Sequence, residues 1–423
     1  MSEAALRSSE SGHRKALVLG ALTVVAYVGA VNRAQPLVWG MAALLLAALA
    51  VGFAWPHWLV RRLEVTRRGP LRGVEGETIV LRVAVANRGW LPRYMVEVTD
   101  RLPLVGAAAG TPAVAPLVLG QIAIVPGGGE RAFDVPVMCE KRGRYRLGPV
   151  GLVSGFPLGL LEARRHGAGG RQELVVYPPV FPIGELPLRA TPALLHRGGL
   201  LLPDGAGSAE FRGLREYRPG DNPRHVHWPS SSRLNTLIVK EFEPLAAASL
   251  CLVLDLEAAS DVGMGRHSTL EYMVRIAASM AAHACERGMP VRLLGEASTP
   301  LDIPAASGDR QYRDVLDALA VVEADGAEAY PAVLARAGAQ SHPGENMVVF
   351  VMAEGERRQR IVGELAMLRA RGAHVLAVVF DLPSFAGQAS ASGPAALPPG
   401  LLELGATVVS VALGDDLAQG FNH

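Results

Sequence analysis

The sequence predicts an N-terminal transmembrane helical hairpin, then an antiparallel β-sandwich, then an α/β domain. Two long apolar runs near the N-terminus, a period of two from about Leu63, and apolar strands that alternate with helical patterns from Ser249 support this prediction. The 423 residues are enough for two or three folded units. The predicted boundaries are 1–62 for the anchor, 63–182 for the sandwich, 183–248 for a junction and 249–423 for the α/β domain.

Composition narrows the classes of function. Half of the residues are hydrophobic and only 19% are charged, a balance that indicates membrane-embedded segments. The formal net charge is +1, so the sequence lacks the electrostatic footprint of a nucleic-acid-binding protein. Cys139, Cys251 and Cys285 are too widely spaced for a disulfide framework or a zinc motif, and we expect small buried side chains.

The two apolar runs predict the membrane anchor. A spanning helix needs about 17–25 residues, so Ala16–Val31 is at the short limit and Leu37–Val60 is long enough. Trp39 lies near one end of the second run, and Trp55 and Trp58 lie near the other, as indoles at the two membrane interfaces would.

Positive charge sets the predicted direction of the hairpin. Arg14 and Lys15 precede the first run, Arg61 and Arg62 follow the second, and the connecting loop holds only Arg33. By the positive-inside rule both ends face the cytoplasm, which predicts an inner-membrane anchor with cytoplasmic soluble parts. The alternative is a signal peptide cleaved near "VGA", after which the second run would still anchor the protein with inverted topology.

Short alternating segments predict the β-sandwich. In "ETIVLRVAVAN" alternate residues, Ile79, Leu81, Val83 and Val85, fall on one face, and Gly and Pro separate this segment from similar ones. Helical patterns do not interrupt them, which is typical of an antiparallel sandwich. No residues here have catalytic spacing, so a binding or spacer module and a plain scaffold remain as interpretations.

From Ser249 the pattern changes to alternating strands and helices. Ser268 and Glu271 form a capping box before an amphipathic helix that Gly288 ends. The apolar strands predict a parallel sheet covered on both faces. Ligands bind beyond the carboxyl ends of such strands, where oxygen ligands could hold Mg²⁺ or could be solvated loop acids. The residues expected there are Asp255, Glu257, Ser260, Glu354 and Glu356.

A polar segment in the junction, "EFRGLREYRPGDNPRHVHWPSSSR", has four interpretations. Catalysis would use a serine from Ser230 to Ser232 with His225 or His227 and Asp221, but no G-x-S-x-G elbow frames a serine. A metal site made by "HVH" and Asp221 has only two histidines and no third ligand of clear spacing. Anion or nucleic-acid binding by the arginines is opposed by nearby carboxylates, which nearly balance them.

The fourth interpretation, a structural junction, is favoured. Asp221 is predicted to cap a short helix near Pro223, Trp228 to be an apolar plug, and the arginines to pair with carboxylates. The predicted structural set is Glu210, Arg212, Arg215, Glu216, Tyr217, Pro219, Gly220, Asp221, Arg224, His227, Trp228, Ser231 and Arg233.

Residues Gly205–Glu243, which contain this segment, resemble the signature of the domain of unknown function 58 (DUF58) proteins. "RGRYRLGPVGLVSGFPLGLLEARR" resembles the stretch before that signature, with "GFPLGL" in place of the usual Asp-Pro-Phe-Gly-Leu. The resemblance implies two membrane helices, a β-sandwich and a Rossmann-type domain similar to the von Willebrand factor A domain. Family members are often encoded beside MoxR-type AAA+ ATPases, and sometimes beside transglutaminase-like membrane proteins, which implies an adaptor without established enzymatic activity.

The von Willebrand A resemblance implies a metal-ion-dependent adhesion site, Asp-x-Ser-x-Ser. Asp255 matches its Asp, but Glu257 and Ala259 stand at the two serine positions. "AEG", residues 353–355, stands where such domains often have Thr-Asp-Gly. The hydroxyls that would hold Mg²⁺ are missing, so the site is predicted to be degenerate and no cofactor is expected.

These observations predict a membrane-anchored cytoplasmic adaptor that is not an enzyme. Its expected partners are a MoxR-type AAA+ ATPase and other membrane proteins, with a role in assembling or maturing other complexes. The alternatives are a hydrolase that uses His and Ser residues of the signature, and a metal-dependent ligand-binding protein.

Overall fold

The computed structural model describes residues 3–33, 35–109, 115–184, 186, 210–217, 226–234, 236–243, 249–387 and 399–422. These residues form two compact units. Unit 1 holds the described residues up to Pro179 together with Met264–Arg266, and unit 2 holds the rest.

Unit 1 begins with two apolar helices, α1 (Glu3–Arg33) and α2 (Pro36–Leu59). The mean hydropathy is 1.6 over Arg14–Asn32 and 2.3 over α2, so both helices are long and apolar enough to cross a membrane. The ring centroids of Tyr27 and Trp39 lie 5.8 Å apart, edge to face, which pairs the two helices. The predicted pair of apolar helices is confirmed, and α1 extends further towards the N-terminus than its apolar run.

The remainder of unit 1 consists of short strands in three sheets, with the orders β1-β3-β6, β2-β10-β7 and β5-β4-β8-β9. Inward-facing valines and leucines of these sheets form one apolar core, as the alternation in β3 predicts. The strands are β1 (Leu63–Arg68), β2 (Arg72–Val74), β3 (Thr78–Asn87), β4 (Arg93–Asp100), β5 (Leu117–Val125), β6 (Glu130–Met138), β7 (Gly143–Leu147), β8 (Gly151–Ser154), β9 (Ala163–Arg165) and β10 (Gln172–Tyr177), with a 3₁₀ helix at Ala107–Ala109.

The end of α2 belongs to the same core as the strands. Val60 and Leu63 are buried in it, and only two residues separate them. Arg165 donates hydrogen bonds to the carbonyls of Val60 at 3.2 Å and Leu63 at 2.8 Å. The guanidinium of Arg93 lies 3.5 Å from the ring centroid of Trp58, which is cation–π contact. Helix α2 is therefore packed onto the strands of unit 1, β1 to β10, which together are called the β-unit below.

Arg67 and Asp100 form a buried ion pair within unit 1. Arg67 on β1 donates a hydrogen bond to Asp100 at the end of β4, and both side chains are almost completely inaccessible to solvent. A buried pair of this kind is costly to break because removal of one partner leaves the other charge desolvated.

Unit 2 contains a six-stranded sheet with the order β15-β14-β13-β16-β17-β18. All neighbours pair in parallel except β14 and β15, which are antiparallel. The strands of unit 2 are β11 (Glu210–Glu216), β12 (Ile238–Glu243), β13 (Leu250–Val253), β14 (Val291–Glu296), β15 (Pro300–Ala306), β16 (Asn346–Val351), β17 (His374–Phe380) and β18 (Thr407–Val411).

Helices follow most of these strands along the chain. The helix cap predicted at Ser268 is confirmed, because the Ser268 hydroxyl accepts the amide of Glu271 at the start of the helix. The helices are α3 (Trp228–Leu234), α4 (Thr269–Glu286), α5 (Asp309–Val321), α6 (Tyr330–Gln340), α7 (Gly355–Ala370), α8 (Leu382–Phe385), α9 (Pro399–Glu403) and α10 (Leu417–Gly420), with a 3₁₀ helix at Gly265–His267.

Candidate functional site

A cluster of charged groups lies at the carboxyl ends of β13 and β16, two adjacent parallel strands at the middle of the six-stranded sheet. Asp255 follows β13 and has no solvent exposure. Arg357, in the first turn of α7, reaches it from the segment that follows β16. The topology therefore brings together residues that are about a hundred positions apart in the sequence.

The guanidinium of Arg357 joins two carboxylates. Its Nη2 donates to Oδ1 and Oδ2 of Asp255 at 2.9 and 2.8 Å, and to Oε2 of Glu257 at 2.8 Å. Its Nε donates to the same Glu257 oxygen at 3.1 Å, and its Nη1 donates to the Met352 carbonyl at 2.7 Å. A planar five-donor group suits this arrangement, whereas the single ammonium of lysine does not.

Burial raises the pKa of the Asp255 carboxyl to about 7. The nearby charge of Arg357 opposes this shift, and the charge of Glu257 adds to it. Desolvation disfavours the charged carboxylate, so the ion pair with Arg357 only partly offsets the cost of burial. The site thus contains an acid that titrates near neutral pH.

Tyr330, the first residue of α6, is almost completely buried below this cluster. Its hydroxyl donates to the Val253 carbonyl on β13 at 2.7 Å and accepts the Phe350 amide of β16 at 3.2 Å. It therefore bridges the two strands beyond the point where their ladder ends at Val253 and Val349. Burial raises the pKa of Tyr330 well above its ordinary value, and the charge of Asp255 adds to the shift, so the phenol stays protonated.

Backbone contacts fix the loop that carries Glu257. Gly326 donates its amide to the Leu256 carbonyl at 2.9 Å and accepts the Ala258 amide at 3.0 Å. A Cβ at Gly326 would lie 2.9 Å from that same Leu256 carbonyl, so the close approach requires glycine. The Ser260 hydroxyl donates to the Glu257 carbonyl at 2.7 Å and is buried. The loop is thus held from two sides.

The sequence predicts Asp255, Glu257 and Ser260 at this edge of the sheet. In the structure, Asp255 and Glu257 both accept hydrogen bonds from Arg357. Glu354 and Glu356, which were also expected here, are exposed. Among the described residues, no group of three or more His, Cys, Asp or Glu side chains is arranged to hold a metal ion. The guanidinium donates hydrogen bonds to the carboxylate oxygens of Asp255 and Glu257 that a metal ion would need. The arrangement is therefore an internal ion-pair network. Sequence reasoning missed Arg357 and Tyr330.

The signature segment forms a hairpin that the sequence did not predict. β11 pairs antiparallel with β12, from Glu210 opposite Glu243 to Glu216 opposite Ile238, with a bulge between Phe211 and Gly213. His227, the residue directly before the short helix α3, donates its amide to the Ile238 carbonyl of β12 at 2.8 Å. This bond joins the start of α3 to β12.

Two serines of α3 differ in what their hydroxyls contact. The Ser231 hydroxyl is buried, accepts the Ile238 amide at 2.9 Å and donates to the His227 carbonyl at 3.0 Å. The Ser230 hydroxyl lies 2.8 Å from Nδ1 of His227. Ser231 therefore joins α3 to β12, and Ser230 is the serine that contacts the histidine.

The prediction that Trp228 is a buried plug is wrong. Trp228, the first residue of α3, is 68% exposed, whereas Ser231 of the same helix is buried against β12. The predicted cap and helix start at Asp221 and Pro223 lie outside the described residues, as do His225, Pro219, Gly220 and Arg224.

Other members of the predicted structural set are described in part. The structure describes the backbone but not the side chains of Glu210, Arg212 and Arg215 on β11. Glu216 is exposed and Tyr217 half-buried, and Arg233 is exposed near the end of α3. Their pairing with carboxylates stays a prediction.

Comparison with protein families finds one match that covers this region. The model of the family "Protein of unknown function DUF58" matches residues 213–354, about a third of the chain, from the hairpin through β16. The match includes Asp255, Glu257 and Tyr330 and ends shortly before Arg357. It supports the resemblance seen in the signature.

Among curated proteins, the uncharacterized protein YeaD of Bacillus subtilis (strain 168) is 29% identical over 115 residues. That alignment covers 27% of this chain and 27% of YeaD, so the chain matches only about a quarter of the length of its curated relative.

Solved structures give only partial likenesses. The CARDB domain of the PF1109 protein from Pyrococcus furiosus is 15% identical, with 27% of this chain and 86% of that chain covered and a TM-score of 0.19. The alkylpurine DNA glycosylase AlkC of Pseudomonas fluorescens is 14% identical, with 27% and 30% covered and a TM-score of 0.18. A β-glucosidase from Listeria innocua is 11% identical, with 28% and 16% covered and a TM-score of 0.18. These scores are too low to support a functional argument.

Proposed function

We propose that the protein is a non-enzymatic adaptor, anchored in the inner membrane by α1 and α2 with its soluble units in the cytoplasm. The two apolar helices support the anchor. Arg14 and Lys15 before the apolar part of α1, and Arg61 and Arg62 after α2, support the cytoplasmic side for both ends.

One observation carries the non-enzymatic part of this proposal, the bond network of Arg357 with Asp255 and Glu257. At the sheet edge where an open α/β fold binds its ligand, both acids are engaged by a side chain of the same chain. An acid in such a pair is poorly placed to bind a metal ion or a substrate. The proposed site is therefore structural, without a cofactor and without a working metal site.

The β-rich part of unit 1 would be a sandwich that acts as a spacer. The sheet of unit 2 would be the core of a von Willebrand A-like, Rossmann-type domain that presents a docking surface. The partner we propose is a MoxR-type AAA+ ATPase, with other membrane proteins in the same assembly and without nucleic acid. This choice of partner rests on the resemblance of the signature to DUF58 proteins, which are often encoded beside such ATPases, and the family match at residues 213–354 supports that resemblance.

Co-purification tests the adaptor role. The full chain is cross-linked in membranes and extracted in mild detergent, and a MoxR-type ATPase should co-purify with it. A variant with Trp228→Ala probes the exposed surface of the signature. A matched control is Val118→Ala, which alters an exposed apolar residue of unit 1. Repeated recovery without any ATPase or envelope-assembly protein would contradict the adaptor role.

The alternative with a specific observation in its favour is a hydrolase. His227 Nδ1 lies 2.8 Å from the Ser230 hydroxyl, which is hydrogen-bond reach for a base and a nucleophile. Ser230→Ala should then abolish turnover of an ester probe without changing the melting temperature, whereas Ser232→Ala should leave turnover unchanged. The adaptor proposal expects no turnover by the unaltered chain.

A further inference from the structure

A loop of the β-unit packs against α2 well before the helix ends. The loop connects β8 to β9 and contains Phe156–Leu161, the "FPLGLL" part of the sequence. A Cβ built on Gly52 of α2 would lie 2.5 Å from a methyl carbon of Leu160 and 3.5 Å from one of Leu158. Gly52 and Leu160 are buried in this contact, while Leu158 is 43% exposed.

The position of Gly52 along α2 gives the depth of this contact in a bilayer that α2 crosses. Gly52 precedes Leu59, the last residue of α2, by seven positions, which corresponds to about 10 Å at 1.5 Å per residue. A helix of 24 residues is about 36 Å long, and the hydrocarbon core of a bilayer is about 30 Å thick. The excess of about 3 Å at each end is much smaller than 10 Å.

The tryptophans at the end of α2 independently indicate the same depth in the bilayer. Trp55 and Trp58 have ring centroids 5.3 Å apart and mark the interface by the preference of indoles for it. Gly52 lies about one turn further from the helix end than Trp55. Leu158 and Leu160 therefore reach the depth at which acyl chains begin.

A second loop lies at this end of the β-unit. Arg88, after β3, donates its amide to the Arg62 carbonyl at 2.8 Å, and Arg93, at the start of β4, stacks on Trp58. Between them Trp90 is 81% exposed. A large indole exposed beside a helix end that carries arginines fits the interface of a membrane with anionic lipids.

We propose that the β-unit is itself a membrane-surface module, in which the loop Phe156–Leu161 inserts beside α2 into the headgroup and upper acyl region of the bilayer. Its ligand is the lipid surface of the same membrane that α2 crosses. This inference rests on the proposed anchor. It adds that the β-unit itself contacts the lipid surface.

Depth-dependent quenching tests the inference on the full chain in vesicles of phosphatidylcholine and phosphatidylglycerol. A fluorophore is attached to a cysteine placed at Leu158, at Leu46 in the middle of α2, or at Val118, an exposed apolar residue at the opposite end of the β-unit. Cys285 is changed to serine in all variants. Cys139 and Cys251 are buried, and burial raises the pKa of these thiols to about 11 and about 12, so they react slowly.

Lipids that carry a quencher near the headgroup should quench residue 158 several-fold more strongly than residue 118. Lipids quenched near the acyl-chain ends should act most strongly on residue 46. The inference would be overturned if residue 46 is quenched but residue 158 is quenched no more than residue 118. That result would leave the proposed anchor in place. An unquenched residue 46 would overturn the anchor, and the inference with it.

Discussion

The guanidinium of Arg357 lies 2.8 Å from Oδ2 of Asp255, an acid without solvent exposure, and the two residues belong to segments that follow adjacent parallel strands. This pair ties the loop after β13 to the first turn of α7. It also determines how the sheet edge should respond to mutation, to pH and to metal ions.

Arg357→Met should destabilise the protein, because it leaves Asp255 and Glu257 close together without a cation. Removal of one partner of a buried pair costs about 3–5 kcal/mol. We expect the full loss at pH 8 and a smaller loss at pH 5, where Asp255 can take up a proton. Denaturant unfolding of the detergent-solubilised chain measures the loss, and Arg360→Met, an exposed arginine on the same helix, is the control. Equal stability of the two variants would contradict a stabilising role for the ion pairs of Arg357.

The raised pKa of Asp255 predicts a dependence of stability on pH. Its folded-state pKa is about 7, above the unfolded value of about 3.9, so the folded protein binds more protons between these values. The contribution to the free energy of unfolding is complete below about pH 4 and is lost as the pH rises through 7, at most about 1.4 kcal/mol per pH unit. Asp255→Asn should flatten this slope in unfolding measured from pH 4 to pH 8. An unchanged slope would show that another group titrates.

Metal binding should require removal of the arginine. The unaltered chain is expected to give no Asp255-dependent heat with Mg²⁺ or Mn²⁺ in calorimetry. A variant with Glu257→Ser, Ala259→Ser and Arg357→Ala creates Asp-x-Ser-x-Ser and frees the acid, so it should bind Mn²⁺ more tightly than the unaltered chain, and adding Asp255→Ala should abolish the gain. Micromolar, Asp255-dependent binding by the unaltered chain would contradict the degenerate site.

In unit 1, Asp100→Ala should cost about 3–5 kcal/mol, because it leaves Arg67 buried without its partner. The matched control is Glu64→Ala, which removes the exposed pair with Arg88 at 2.9 Å and should cost at most about 1 kcal/mol. Thermal unfolding compares the two variants. A similar loss for both would mean that the buried pair contributes no more than the surface pair.

In the signature, Ser231→Ala should cost about 1–3 kcal/mol because it leaves the Ile238 amide without its acceptor. Ser232→Ala, an exposed neighbour, should have little effect. Trp228→Ala should also leave the melting temperature nearly unchanged, since that side chain is exposed. A large loss for Trp228→Ala would restore the interpretation of this residue as a plug.

Local signals identified several elements well. The Ser268–Glu271 box marks the start of α4, and the two uncharged apolar runs mark α1 and α2, because capping and hydropathy depend on neighbouring residues. β15 was missed because Pro300 and Pro304 give its sequence the appearance of a turn. An edge strand with one free side tolerates proline.

The candidate site could be predicted only in part. Asp255 was found because acids that directly follow a buried strand fall at a known edge of the sheet. Arg357 was missed because its partner is chosen by the tertiary fold, and a lone arginine in a helix is usually solvated. Tyr330 was missed for the same reason, since its hydroxyl bridges two strands that are far apart in the sequence. The error at Trp228 came from treating a large aromatic side chain as a buried one.

The burial of Val60 and Leu63 in one core has a mechanical consequence. Only two residues separate the helix from the first strand, and Arg165 holds the carbonyls on both sides of them. A force applied to the β-unit would therefore reach α2 without first drawing out any slack chain. If a motor protein pulls on the β-unit, α2 bears the load from the beginning of the pull.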